Sequence, residues 1–192
     1  MFITDILRFL RYAEWALCKT TPPFPEHLFS SVKELSFAAV AEFSPIALRS
    51  RGEFGAGALE RLVKAQYQDE FYRACYTVLK SLYLTSEWSG KNSRGRVDFQ
   101  IRSQKWAIEC VREGSKLDEH IARFWKGGEY HKWIRSGEIK DYIILDFQMS
   151  MPPEGKYSIP SLYFIVFSED YRRYKTYNAR GNKEGNERAL TN

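Results

Sequence analysis

The sequence predicts an α/β (α+β) domain with a mixed sheet and helices on both faces, and three observations predict it. A long helical pattern, residues 57–82, is followed by runs that alternate apolar and polar residues in the manner of strands. A second helical pattern comes after those runs. Two near-continuous apolar runs, Asp141-Tyr142-Ile143-Ile144-Leu145-Asp146-Phe147 and Leu162 to Phe167, then read as strands covered on both faces. Helix, three strands, helix, then two or three strands is the order of a layered domain.

The elements follow in chain order. Phe2, Ile6, Phe9, Leu10, Ala13 and Leu17 recur at helical spacing, and Thr21-Pro22-Pro23-Phe24-Pro25 stops that helix. Ser31 is a good N-cap for a second helix running towards Pro45. After a Gly-rich break at residues 51–57, Val63, Tyr67, Phe71, Ala74, Val78 and Leu82 form one stripe of the long helix. Glu70 lies at the edge of that stripe and is turned towards the body of the protein. Tyr83 to Trp88 is a candidate strand. Val97, Phe99 and Ile101 alternate with Asp98 and Gln100, and Trp106, Ile108 and Cys110 alternate with Ala107, Glu109 and Val111. Arg102-Ser103-Gln104 between them suits a hairpin loop. Ser115 is the expected cap of the next helix, with Asp118 as an imperfect capping box and Leu117, Ile121, Phe124 and Trp125 as its inner face. Gly127-Gly128 breaks it before a shorter helical piece at residues 130–136. Residues 171–177 read as an edge strand, and the nearly apolar-free segment 179–192 as a mobile tail. Three units result: a helical extension (1–55), the sheet domain (56–178) and the tail (179–192).

The chain has 192 residues, 44% of them hydrophobic and 16% aromatic, which is ample for a core and excludes wholesale disorder. Formal charge is +5, compatible with a phosphate-bearing partner. Cys18, Cys75 and Cys110 contain no C-x-x-C pair, which excludes a zinc ribbon and argues against a disulfide framework. Asp5, Arg8, Arg11 and Glu14 rule out a signal-peptide core or membrane span at the start, so no membrane partner is expected.

Asp98 and Glu109 each sit in mid-strand, where a carboxylate is out of place without a partner. They are either solvated acids on the wet face of a sheet or halves of a cation site. Neighbouring strands lie about 4.8 Å apart, so facing carboxylates there would repel unless a cation lay between them. A hard divalent cation, Mg²⁺ or Mn²⁺, would take Asp98, Glu109, the inward Glu70 and the backbone carbonyl of Cys110, leaving positions for a phosphate oxygen.

An acidic helix, Asp98, Glu109 eleven positions on, a helix and a strand together resemble the PD-(D/E)XK, or restriction-endonuclease-like, superfamily. More narrowly, QYQDEFYRACY, SEWSGKNSRGRVDFQI, KWAIECVREGSKLDEHIARF and KDYIILDFQMSMP resemble the nuclease-like effector domains of fungal and oomycete Crinkler proteins. The resemblance implies an αβββαβ core and a Mg²⁺- or Mn²⁺-dependent endonuclease acting on DNA or RNA. It also implies secretion into a host cell, work in the host nucleus on a possible host nuclear protein, and a possible homodimer. The family's lysine stands two residues after the second acid, where this chain has Val111. Arg112 points to the opposite strand face, so His120 or Lys126 of the following helix are the expected stand-ins. The alternative is a catalytically impaired nuclease fold that binds nucleic acid or protein. Arg94, Arg96, Arg112, Lys126, His131, Lys132, Arg135 and Lys140, interleaved with Trp125, Tyr130 and Trp133, suit nucleic-acid contact.

Overall fold

The computed structural model describes residues 23–49, 59–80, 84–90 and 95–190, with side chains from Lys64 onward in the long helix. The expected first helix, Cys18, the 51–57 break and Arg94 lie outside the described residues. Helices α1 (Val32–Ala41), α2 (Pro45–Arg49) and α3 (Leu59–Leu79) precede strands β1 (Leu84–Trp88), β2 (Val97–Ile101) and β3 (Trp106–Arg112). Helices α4 (Leu117–Phe124) and α5 (His131–Arg135) follow, then β4 (Asp141–Gln148), β5 (Leu162–Ser168), β6 (Arg173–Asn178) and β7 (Arg188–Ala189).

The strands form one mixed sheet in sequence order, β1 to β7. The β3–β4 and β4–β5 pairs are parallel, and the outer pairs are antiparallel. Helices α4 and α5 make the crossover that a parallel β3–β4 pair requires. The mixed α/β architecture read from the sequence is therefore the one the chain adopts.

Alternation along the central strands explains the two layers. Ile143, Leu145 and Phe147 of β4 pack with Ile108 and Cys110 of β3 against α1 to α3, where Leu35, Phe43, Phe71 and Cys75 are buried. Tyr67 stacks on Phe147 at 4.8 Å between centroids. Ile144 of β4, with Ala107 and Val111 of β3, meets Leu117, Ile121, Phe124 and Trp133 on the other face. Cys75 and Cys110 are buried free thiols.

Helices α1 and α2 lie in the stretch read as a helical extension, and Val32, Leu35, Ala39 and Phe43 pack into the same core as the sheet. Two local expectations are corrected. Ser115 does not cap α4. Lys116 holds the cap position in a left-handed conformation with no side-chain cap bond. The segment after Asn178, read as a mobile tail, is fastened to the sheet: β7 pairs with β6, Ala179 and Leu190 are buried, and Glu184 takes Lys33 at 3.0 Å. Its few apolar residues happen to be the ones that dock. Ser31, by contrast, caps α1 as expected, accepting from the Glu34 amide.

Among the described residues no helix is long and apolar enough to cross a membrane.

Candidate functional site

The β2–β3 ladder pairs Ile101 with Trp106, Gln100 with Ala107 and Phe99 with Ile108. One step further Asp98 faces Glu109, and there side chains replace the ladder. The Cys110 amide donates to Asp98 Oδ2 at 2.8 Å, and the Asp98 amide donates to Glu109 Oε2 at 3.3 Å. Each acid thus takes the backbone donor of the other strand, and the ladder ends at the pair.

Helices from both layers converge here. From α3, Lys64 Nζ lies 3.6 Å from Asp98 Oδ2, and the Gln68 side chain also bonds Asp98. From α4, His120 Nδ1 lies 2.6 Å from Glu109 Oε1, and Arg123 Nη1 approaches the same oxygen at 3.4 Å. Arg123 also donates to the Tyr130 hydroxyl, which in turn donates to the Arg96 carbonyl. Spacing of three residues puts His120 and Arg123 on one face of α4, and spacing of four does the same for Lys64 and Gln68 on α3.

The cluster is electrostatically strained. Glu109 is 1% exposed. Burial, then the neighbouring Glu109 charge, pushes Asp98 up to about 6 against the opposing pull of Lys64. Burial pushes Glu109 up to about 7, opposed by Lys64 and Arg123. His120 is driven down to about 4 by burial, with Lys64 and Arg123 adding to the effect. At neutral pH His120 is an uncharged imidazole. When Glu109 is ionised, the proton of that ring sits on Nδ1 and Nε2 is left with its lone pair.

A cavity of about 370 Å³ opens at this point, lined by Lys64, Val111, Arg112, Glu113, Ser115, Lys116 and His120. Three of those side chains are cationic and one is anionic. Its rim, Glu113 to Lys116, holds Glu113, Gly114 and Lys116 at positive φ, a conformation that needs support from its surroundings. Support comes from β4. Glu113 N donates to the Phe147 carbonyl at 3.0 Å, Gly114 N donates to Asp146 Oδ1 at 3.1 Å, and Met149 N donates to Glu113 Oε1 at 2.9 Å.

Of the acids singled out in the sequence, the fold brings Asp98 and Glu109 together and leaves Glu70 out. Glu70 is buried, but its carboxylate is held by Arg73 at 2.6 and 2.9 Å and by the Ser44 amide at 2.5 Å. The helical stripe gave its direction correctly; what waits there is the α1–α2 turn. Cys110 is at the site through its backbone amide, while its thiol is buried in the core under α3. His120 reaches the acid pair. Lys126 does not: it lies exposed in the turn after α4.

Of the candidate nucleic-acid contacts, Arg112 lines the cavity, and Lys126, Lys132, Arg135 and Lys140 are exposed. Arg96 is exposed and paired with Glu87 at 3.3 Å, and His131 is half-buried. Tyr130 and Trp133 are corrected to core residues, each 1% exposed and stacked on one another at 4.9 Å. Trp125, expected on the inner face of α4, is 56% exposed.

Sequence reasoning missed Lys64 and Arg123. Lys64 precedes Gln68, Phe71 and Cys75 at helical spacing, so a polar pair heading an inward row was the available signal. Arg123 was visible as the i+3 partner of His120.

Among the described residues no group of three or more His, Cys, Asp and Glu side chains is arranged to hold a metal. The pair of Asp98 and Glu109 still suits one particular class of ion. Mg²⁺ is commonly held by one or two carboxylates, with waters and substrate phosphate completing its octahedron. Two facing carboxylates whose protonation is favoured by burial and mutual repulsion would be relieved by such a cation.

No protein-family model, no curated protein and no solved structure matches this chain.

Proposed function

We propose that the chain is a nuclease-like domain, a Mg²⁺- or Mn²⁺-dependent phosphodiesterase acting on nucleic acid, built on a restriction-endonuclease-like core. One observation carries the reading: Lys64, from a different element, delivers to the acid pair the cation that Val111 denies it. A lysine, two facing carboxylates and a cavity lined by three cations then stand together.

Each group has a role that follows from its position. Lys64, Arg112 and Lys116 line the cavity and would hold a phosphodiester by charge and hydrogen bonding. Asp98 and Glu109 would hold the divalent cation, which supplies Lewis acidity at the scissile phosphate. His120 keeps its Nδ1 proton on Glu109 and leaves Nε2 to accept a proton from a water in the cavity. Arg123 favours the ionised form of Glu109 and, through Tyr130, ties α4 to the residue that precedes β2.

A second reading, a nucleic-acid-binding domain without turnover, is favoured by a separate observation. Glu70 is committed to Arg73, and both remaining acids already have protein cations beside them.

Cleavage of supercoiled plasmid and of single-stranded oligonucleotides in Mn²⁺ decides between them. The phosphodiesterase reading expects cleavage by wild type and a loss of about 100-fold or more in both Lys64→Met and Asp98→Asn. Binding with no cleavage by wild type would leave the second reading. Cleavage unaffected by either substitution would overturn the assignment of the site.

A further inference from the structure

Trp125 is the one large aromatic ring of the described residues beyond α4 that the core does not take. Trp106 and Trp133 are 7% and 1% exposed, and Trp88 is half-buried against Trp133. Exposure of more than half is unusual for a side chain with so much apolar surface to bury. The backbone holds it there. Trp125 ends α4 in an extended conformation, with its amide bonded to the Ala122 carbonyl at 3.2 Å. The Gly128 amide closes back on the Trp125 carbonyl at 2.7 Å, and the Tyr130 amide reaches the Arg123 carbonyl at 2.7 Å. This turn requires glycine: a Cβ on Gly128 would overlap the carbonyl oxygens of Ala122 and Arg123, which are backbone and cannot move aside. Gly127 supplies the positive φ of 89° beside it. The ring is thus presented by a rigid, specifically built turn.

The charge around the ring selects a partner. From Trp125 to Arg135 the chain carries Lys126, Lys132 and Arg135 against Glu129 alone. The acids of α4 are already countered, Glu119 by Lys116 at 3.7 Å and Asp118 by Lys156 at 3.7 Å. The other end of α4 is the rim of the cationic cavity. Eight helical residues at about 1.5 Å each separate the two by roughly 12 Å, well inside the span of a bound oligonucleotide.

From these observations we infer that Trp125 is a stacking platform for an unpaired nucleobase of a single-stranded nucleic acid whose backbone lies along α4 into the cavity. The inference rests on the nucleic-acid reading of the cavity but not on catalysis. Stacking a base on an indole is tolerant of sequence, because every base has a π-face. It demands a base that is not paired. The domain should therefore prefer single strands, or the frayed and looped parts of duplexes.

The test is fluorescence-anisotropy titration of labelled oligothymidylate, and of a labelled duplex of equal length, into the wild-type chain, Trp125→Ala and Trp125→Phe, without divalent cation. Trp125→Ala should weaken single-strand binding by about 5- to 150-fold, the worth of one stacked base. Trp125→Phe should restore most of it, and duplex binding should change less than twofold. The side chain is exposed, so neither variant threatens the core, and circular dichroism will verify their folding. Equal single-strand affinity in wild type and Trp125→Ala, or no single-strand binding by wild type, would overturn the inference. A wild-type chain that binds single strands through Trp125 yet cleaves nothing in Mn²⁺ would sustain it while removing the phosphodiesterase reading.

Discussion

Among the described residues two glutamates are buried beside arginines, Glu70 and Glu109, and the surroundings of the two differ in kind. Glu70 is satisfied completely by a local solution. Arg73, three residues along the same helix, grips both carboxylate oxygens, and the Ser44 amide adds a further bond. Arg73 in turn reaches the Glu42 carbonyl, so the cluster pins the α1–α2 turn to α3. Glu109 has no such resolution. Its arginine stands at 3.4 Å, its closest partner is a histidine kept neutral by burial, and across the strand gap it faces another carboxylate. One buried acid is a structural tie. The other belongs to a pair whose charge the protein leaves incompletely compensated, which is the arrangement that functional sites maintain.

The sharpest way to break that contrast is to neutralise the acids one at a time. Asp98→Asn retains an acceptor for the Cys110 amide, so the fold is expected to survive while Mn²⁺-dependent cleavage falls by about 100-fold or more. Glu70→Gln should do the reverse. Cleavage is expected to stay within about threefold of wild type, while the thermal midpoint drops by several degrees for a loss of about 1–3 kcal/mol of bonding around Arg73 and Ser44. Thermal melts and plasmid assays on the two variants read both halves. If Glu70→Gln abolished cleavage, Glu70 would have to be returned to the site.

Stability against pH gives a second handle. Asp98, Glu109 and the fully buried Asp146 are all raised, to about 6, about 7 and about 6. A carboxyl with a folded pKa above its unfolded value binds its proton more tightly in the native state. These three carboxyls then hold more protons folded than unfolded between pH 4 and 7. His120, lowered to about 4, works the other way, but three carboxyls outweigh one imidazole and stability falls as pH rises through that window. Wild type should be more resistant to urea at pH 5 than at pH 7.5. Mn²⁺ should recover stability at pH 7.5 and do little at pH 5, where protons already occupy the pair. Asp98→Asn should flatten part of the slope.

A smaller effect separates the phosphate-binding rim from the acid pair. Arg112→Ala and Lys116→Ala should each lower the slope of log affinity against log salt for an oligonucleotide by about 1, without altering the preference among sequences. Neither should change Mn²⁺ affinity beyond a few-fold.

Much of this molecule was legible in its sequence because alternation and spacing are local. The apolar run of β4, the hairpin-like pair bearing Asp98 and Glu109, and the α1 cap at Ser31 all follow from residues within a few positions of each other. The facing of Asp98 and Glu109 was legible for the same reason: a short loop fixes antiparallel register. What spacing does not carry is the identity of whatever lies opposite. It turned Glu70 inward correctly but did not reveal that the Ser44 amide would meet it there. It placed Trp125 on the inner face of α4, although the turn that Gly127 and Gly128 allow carries its ring outward. Lys64 escaped notice because a lone lysine at the edge of an inward row looks like any solvated lysine until Asp98 is seen across from it.

The most direct test of the central contrast is a calorimetric titration of Mn²⁺ into wild type, Asp98→Asn and Glu70→Gln at pH 7.5. Wild type and Glu70→Gln should bind equally, with binding lost in Asp98→Asn although that variant remains folded. Binding that survives in Asp98→Asn, or disappears in Glu70→Gln while its fold persists, would contradict it.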